Sequence, residues 1–179
     1  MRIDISSFFP SISDTLIKTE FSNLVTCSIA EEKAKILDLI CDIVTLDNKL
    51  PQGACTSPMV SNIVMARIDQ RITKYCQVFN IRYTRYADDM TFSGDFDELE
   101  VIRFVRQELK SMGLHLNKKK TRMRKQGQQQ EVTGIVVNYK TQLPKSIRKE
   151  IRKNMYYIQK FGLESHLEYI GLECRNYRE

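Results

Sequence analysis

Two adjacent carboxylates, Asp88 and Asp89, sit inside the run Tyr83-Thr84-Arg85-Tyr86-Ala87-Asp88-Asp89-Met90-Thr91-Phe92-Ser93. The run alternates and is rich in aromatic and β-branched residues. Ile81 to Tyr86 therefore reads as one strand and Met90 to Ser93 as its partner, with the Asp pair at the bend. An Asp pair taken alone would be an acidic turn, because Asp bonds its own backbone in such places. Two other stretches argue against so plain a reading.

The first is Arg2-Ile3-Asp4-Ile5-Ser6-Ser7-Phe8-Phe9-Pro10. Residues 2–6 read as a short apolar strand that holds Asp4, where an unpaired carboxylate is costly or must take up a proton. A strand carrying Asp4 beside a hairpin carrying Asp88 and Asp89 gathers three carboxylates in one place. Charges that close repel unless a cation sits among them. Two divalent ions roughly 3.5–4 Å apart, bridged by carboxylates, are a standard device for in-line nucleotidyl transfer. Oxygen-only ligands point to Mg²⁺ rather than zinc. Asp4, Asp88 and Asp89 are thus the candidate catalytic residues and metal ligands, with Asp4 and Asp88 as direct ligands and Asp89 assisting.

The second stretch is Leu50-Pro51-Gln52-Gly53-Ala54-Cys55-Thr56-Ser57-Pro58, a turn ahead of a helix. Ser57 suits the N-cap and Pro58 the first helical position. In the order Asp4, Gln52-Gly53, Asp88-Asp89, the chain resembles the palm of a reverse transcriptase, and most closely the bacterial retron-type enzymes. The resemblance rests on YTRYADDMTFSGD, on LPQGACTSP followed by Ser61-Asn62, and on Val132-Thr133-Gly134. It runs from Asp4 to about Asn138. It implies an α+β fold: a palm over residues 1–143 with an antiparallel sheet backed by helices, then the start of a helical thumb over 144–179. Enzymes of this family carry a fingers region ahead of the first catalytic strand, which here begins almost at Met1. The expectation is that the fingers are absent and that the chain alone polymerises weakly.

Composition narrows the class. The 179 residues are 42% hydrophobic, enough for one ordinary domain and a small appendage. There is no run of eighteen apolar residues and no signal peptide, so the expectation is a cytoplasmic protein without membrane contact. Cys27, Cys41, Cys55, Cys76 and Cys174 are odd in number and lack a Cys-x-x-Cys pair. Free thiols fit better than disulfides or zinc. Net charge is +6, and half of the 28 basic residues fall between Lys110 and Lys160, with only Glu131 and Glu150 opposing them. Such concentration is the footprint of a phosphate backbone, although a solvated face explains any one of these residues equally well.

Helical periodicity marks several elements. Ser13 caps a helix carrying Leu16, Ile17, Phe21 and Leu24. Ser28 and Glu31 form a capping box before a helix with Ile36, Ile40, Ile43 and Val44 on its core stripe. Pro58 to about Tyr75 presents Val60, Ile63, Val64, Ile68 and Ile72 to the core. Asp95 and Glu98 open a helix bearing Leu99, Ile102, Val105 and Leu109, which stops at Gly113. Glu131 to Asn138 reads as a strand. Lys145 to Gln159 reads as a helix with Ile147, Ile151, Met155 and Ile158 inward and Arg148, Lys149, Arg152 and Lys153 outward. Ser165 and Glu168 open a last helix carrying Leu167, Ile170 and Cys174.

The resemblance assigns further roles. Phe9, five residues after Asp4, would lie beneath the incoming sugar and exclude a 2′-hydroxyl, with Phe8 in the core. Gln52 and Gly53 would support nucleotide and template, since Gly allows close backbone approach and Gln offers both donor and acceptor. Tyr86 would face the primer or nucleotide. Lys120, in Leu-x-Leu-Asn-x-x-Lys-Thr, would neutralise the leaving pyrophosphate or donate to it, although Lys118 and Lys119 stand beside it. Lys118, Lys119, Arg122, Arg124, Lys125, Arg148 and Arg152 are candidate phosphate contacts. Val132, Thr133 and Gly134 mark recognition of a cognate RNA. The function implied is RNA-directed DNA synthesis from deoxynucleoside triphosphates with two Mg²⁺ ions. A structured noncoding RNA would serve as template and primer, with an effector protein and phage defence among the implications. A group II intron or other defence-associated reverse transcriptase, and a noncatalytic nucleic-acid-binding fragment, are the alternatives.

Overall fold

The computed structural model describes residues 1–125 and 127–171. The chain divides into two compact units, Met1–Met123 and Arg124–Glu179.

In the first unit a three-stranded antiparallel sheet has the order β1 (Arg2–Asp4), β3 (Asp89–Ser93), β2 (Arg82–Tyr86). The hairpin expected around the Asp pair is β2–β3. Its turn is one residue tighter than the sequence suggests, because Tyr86 pairs with Asp89 and only Ala87 and Asp88 lie between. Register fixes the two faces, since side chains alternate along a strand. Ile3, Met90, Phe92, Tyr83 and Arg85 share the face that meets the core. Asp4, Asp89, Arg2 and Tyr86 share the other. The segment after Leu114 runs along the free edge of β1: Ile5 bridges Leu116, and Arg2 and Arg122 exchange backbone hydrogen bonds.

Four longer helices complete the unit, α2 (Asp14–Phe21), α3 (Ala30–Val44), α4 (Ser57–Val78) and α5 (Glu98–Lys110): α4 packs on β2, α2 and α5 pack on α4, and α3 packs on α2. The longest, α4, buries Val60, Val64, Ile68 and Ile72 as its spacing predicts. It begins one residue earlier than expected, with Thr56 at the cap position, because the Ser57 hydroxyl is spent on the Pro51 carbonyl. From α4, Arg67 reaches the buried Glu20 on α2 and Arg71 the buried Glu108 on α5. Tyr75 stacks on Phe104, centroids 4.1 Å apart, to close the α4–α5 contact.

Several expectations need correcting. The box at Ser28 does not form: Ile29 takes the cap position of α3 without a side-chain bond. Of the α3 stripe, Ile36 and Ile43 are exposed, and the covered side turns through Leu37, Ile40, Cys41 and Val44. Leu24 is also exposed. The helix has more apolar positions than the first unit covers, and periodicity alone does not say which side is covered. Asp97, not Asp95, caps α5, accepting from Leu99 N at 2.8 Å and Glu100 N at 3.3 Å. That shift rotates Val101 inward and leaves Leu99 outside. The strand expected over residues 2–6 is limited to Arg2–Asp4, and Phe8 and Phe9 stand on a single helical turn, α1 (Phe8–Ser11). Left-handed backbone at Ser7 (φ 46°) breaks β1 and swings Phe8 into the core.

In the second unit the run from Glu131 is not one strand. It is a hairpin of β4 (Glu131–Val132) and β5 (Ile135–Val136), turned by Thr133 (φ 47°) and Gly134 (φ 82°). Positive φ at both turn positions is what a two-residue hairpin requires, and Gly supplies the second without strain. Helix α6 (Lys145–Phe161) pairs with α7 (Leu163–Tyr169), which starts at Leu163, two residues before Ser165, with Gly162 at the cap position. Tyr157 stacks on the buried His166, 5.9 Å away. The side expected inward on α6 is exposed at Ile147, Ile151 and Met155, whereas Arg148, expected outward, is half-buried with an unpartnered Nε. Cys174 lies outside the described residues. Cys27, Cys41, Cys55 and Cys76 are free thiols, and burial pushes Cys76 up to about 11. Among the described residues no helix is long and apolar enough to cross a membrane.

Candidate active site

β1 and β3 bring Asp4 and Asp89 into direct cross-strand register. Paired positions hold their Cβ atoms about 5 Å apart, and like charges so placed destabilise a sheet. Both residues are buried, Asp4 at 6% and Asp89 at 7% exposure. Local sequence explains their depth: each is flanked by core residues, Ile3 and Ile5 around Asp4 and Met90 after Asp89. Two cations answer the charge. Arg2 Nε donates to Asp89 Oδ1 at 2.6 Å, and Lys120 Nζ to Asp4 Oδ2 at 3.1 Å. Asp4 Oδ1 is left buried with no partner. Asp88 occupies the turn, half-buried, and its carbonyl accepts from Ile5 N at 3.0 Å. The turn is thereby tied directly to the residue after Asp4.

Lys120 is singled out from its neighbours by local structure. Asn117 N donates to the Asp4 carbonyl at 2.8 Å, which anchors the loop on β1. The Asn117 side chain then accepts from Lys119 N and Lys120 N, coiling the loop so that Lys120 meets Asp4 while Lys118 and Lys119 stay exposed. Arg2 is the site residue that sequence reasoning missed. Its signal was the strand period, which places it two residues before Asp4 and so on the same face.

The other candidates occupy defined places. Phe9 is half-buried, its ring 5.3 Å from that of Phe8. Gln52 and Gly53 form an exposed turn, and Gly53 has φ 94°, a conformation that strains other residues. The approach to that turn is fastened to the α1 region, since Leu50 N donates to the Ile12 carbonyl at 3.0 Å. Tyr86 is 74% exposed at the end of β2, on the carboxylate face. Arg122 lies exposed on the segment beside β1. In the second unit Arg124, Lys125 and Arg152 are exposed, and Val132, Thr133 and Gly134 make up the β4–β5 hairpin.

Among the described residues, no three His, Cys, Asp or Glu side chains converge as a ready cation site. The structure brings Asp4 and Asp89 together and sets Asp88 beside them in the turn. The donor set still suits a hard divalent cation. It is all oxygen, it carries more negative charge than the sheet tolerates unaided, and the buried Asp4 Oδ1 has an unused lone pair.

Comparison with known proteins identifies the family of the chain. The family model described as reverse transcriptase (RNA-dependent DNA polymerase) matches residues 1–166. The retron Ec86 reverse transcriptase of Escherichia coli is 32% identical over 174 residues, covering 95% of this chain and 52% of that protein. The retron Mx65 reverse transcriptase of Myxococcus xanthus is 29% identical over 170 residues, covering 87% and 40%. The retron Se72 reverse transcriptase of Salmonella heidelberg is 29% identical, covering 89% and 43%. The chain thus spans about half the length of the curated relatives it matches. Among solved structures, apo telomerase from Candida tropicalis, truncated from its C-terminal domain, superposes with a TM-score of 0.58. That match is 12% identical and covers 80% of this chain and 35% of that one, a likeness of fold alone. The chain belongs to the reverse transcriptase (RNA-dependent DNA polymerase) family, and its similarity within it is to the bacterial retron-type enzymes.

Proposed function

We propose that this chain carries the catalytic palm of a retron-type, RNA-directed DNA polymerase that adds deoxynucleotides to a primer by two-metal nucleotidyl transfer. The observation that carries the reading is the cross-strand pair Asp4–Asp89, buried at a hairpin turn with Asp88 and holding one oxygen without a partner. A structural role does not account for two buried carboxylates set opposite each other.

Asp4, Asp88 and Asp89 would hold two Mg²⁺ ions, which when bound supply Lewis-acid stabilisation of the phosphoryl oxygens. Arg2 and Lys120 balance the buried charge, and a cation entering the pair competes with them. Lys120, on an exposed loop, is free to turn toward the pyrophosphate end of a triphosphate. There it would offset developing charge or deliver a proton. Phe9 would limit the space under the sugar, Gln52 and Gly53 would support nucleotide and template, and Tyr86 would meet the primer end. Lys118, Lys119, Arg122, Arg124, Lys125 and Arg152 would hold phosphates. The Val132–Gly134 turn presents two exposed backbone-defined positions suited to RNA contact. We assign the palm to residues 1–143 and the opening of a thumb to 144–179. A structured noncoding RNA partner, an effector protein, a cytoplasmic site and a role in phage defence belong to the same proposal and rest on the resemblance of motifs.

The test is primer extension on an RNA template by the full natural polypeptide. Asp88→Asn should lower the rate on the order of 10³-fold, since several kcal/mol of charge stabilisation is at stake, and leave RNA affinity unchanged. Parent-level synthesis by Asp88→Asn would sink the two-metal reading. RNA binding by the parent without any synthesis would favour the binding fragment.

A further inference from the structure

We infer that a Tyr83–Asp69–Arg85 network, centred on the buried Arg85 side chain and joined by the exposed Asn62, is the positioning device for the carboxylate turn. The inference rests on the polymerase reading above and adds residues to which that reading gives no role. Strand alternation aims Arg85 at the core, opposite the carboxylate face. Its side chain is 7% exposed. It is the one cation among the described ion pairs that is buried: Arg67 and Arg71 keep more than half of their side-chain surface in water.

A buried guanidinium must find partners for five N–H groups in one plane. Arg85 places four of them, in three directions. Nε lies 3.0 Å from both oxygens of Asp69, and Nη2 donates to Asp69 Oδ2 at 2.6 Å. Nη2 also reaches Asn62 Oδ1 at 3.2 Å. The remaining arm, Nη1, donates to the carbonyl of Ala87 at 2.9 Å. The Tyr83 hydroxyl completes the set by donating to Asp69 Oδ1 at 2.6 Å. Burial, reinforced by the Asp69 charge, raises the Tyr83 pKa and keeps that proton in place. Asn62 and Asp69 are seven residues apart on α4, two turns along one face, so the network is mounted on the helix that forms the core.

The Ala87 carbonyl is the group that gives this arrangement a function. It belongs to the peptide joining the two turn residues, Ala87 and Asp88. Ala87 has φ 50° while Asp88 is not in the positive-φ region, the pattern of a turn that ordinarily places Gly first. Turns of this length interconvert by rotation of that central peptide, with the strands left in register. Rotation would turn over the Ala87 carbonyl and the Asp88 N–H and re-aim the Asp88 side chain, while the Asp88 carbonyl, in the next peptide, stays bonded to Ile5. Arg85 fixes the peptide in one orientation from beneath. A buried ion pair contributes little net stability over an apolar replacement of similar shape. What it contributes here is direction: it ties the turn to α4 at the point where Asp88 is set.

The experiment uses the full natural polypeptide and Mn²⁺ alone as probe, with bound ion measured by electron paramagnetic resonance in the absence of nucleotide. The variants are Arg85→Lys, which cannot form the planar fork, and the apolar triple Tyr83→Phe/Asp69→Leu/Arg85→Met, which keeps the fold without the network. Mn²⁺ affinity should weaken roughly 10–100-fold in both, the usual effect of losing a group that orients a ligand. In primer extension kcat should fall with KM for nucleotide little changed, and the melting temperature of the triple variant should match or exceed the parent's. Parent-like Mn²⁺ affinity and kcat in the triple variant would overturn the inference. So would a loss of affinity that only tracks a loss of stability. Asp4→Asn separates the two levels. If it abolishes Mn²⁺ binding while the triple variant binds normally, the metal reading stands and the positioning role fails. If the parent binds no Mn²⁺, both fail.

Discussion

The gating role proposed for Phe9 depends on how its neighbours hold it. Left-handed backbone at Ser7 ends β1 and starts a single helical turn. On that turn Phe8 is buried and Phe9, at its edge, only half-buried. The ring of Phe9 packs against the core cluster and that of Phe8, so it is held rather than free to swing. In the sugar-gating role proposed above, an aromatic edge held in this way would reject one extra hydroxyl by collision. A flexible side chain could not. Phe9→Val should therefore raise incorporation of ribonucleotides relative to deoxyribonucleotides by roughly tenfold or more, the range of a single pocket contact. Competition of the two triphosphates in one extension reaction measures it. Unchanged discrimination in an active, folded variant would return Phe9 to packing alone.

Elements were legible where their signal is local and their cover lies in the same unit. The α4 stripe and the β2–β3 hairpin follow directly from periods of 3.6 and 2. The Asp4–Asp89 register, which makes the site, did not. Pairing depends on turn length, and two turn residues put Asp89, not the bend itself, opposite Asp4. Nor could periodicity reveal Arg85 as a buried cation, because its partners Asp69 and Asn62 lie 16 and 23 residues away in the sequence. The start of α5 gives a sharper case. Two aspartates compete for the cap, and the capping-box spacing favours Asp95. Asp97 wins because its extended backbone directs its carboxylate onto the N–H groups of Leu99 and Glu100. Asp97→Ala should then cost about 1 kcal/mol of stability, and Asp95→Ala much less. Urea midpoints of the two variants decide it, and equal midpoints would remove the capping assignment.

At the scale of the whole chain, the concentration of basic charge between Lys110 and Lys160 spans both units, and each unit tests it separately. Electrostatic contacts to phosphates release counterions, so each contributes roughly 0.7–0.9 to the slope of log affinity against log salt. In the first unit Lys118 and Lys119 are exposed on the loop that Asn117 coils, whereas Lys120 is engaged by Asp4. Lys118→Gln/Lys119→Gln should lower the slope for RNA by about two contacts' worth without changing the metal requirement. Lys120→Gln should alter catalysis more than the slope. In the second unit Arg152 is exposed, but Arg148 has its Nε buried without a partner. A guanidinium turned partly into the protein neutralises a phosphate less fully, and so displaces fewer counterions from the nucleic acid. Arg152→Gln should therefore lower the slope by about one contact, and Arg148→Gln by less. Filter binding across a salt series, with one variant at a time, resolves these steps. If Lys118, Lys119 and Arg152 can all be neutralised with no change in slope, the basic stretch of the chain is a solvated surface and the phosphates are held elsewhere.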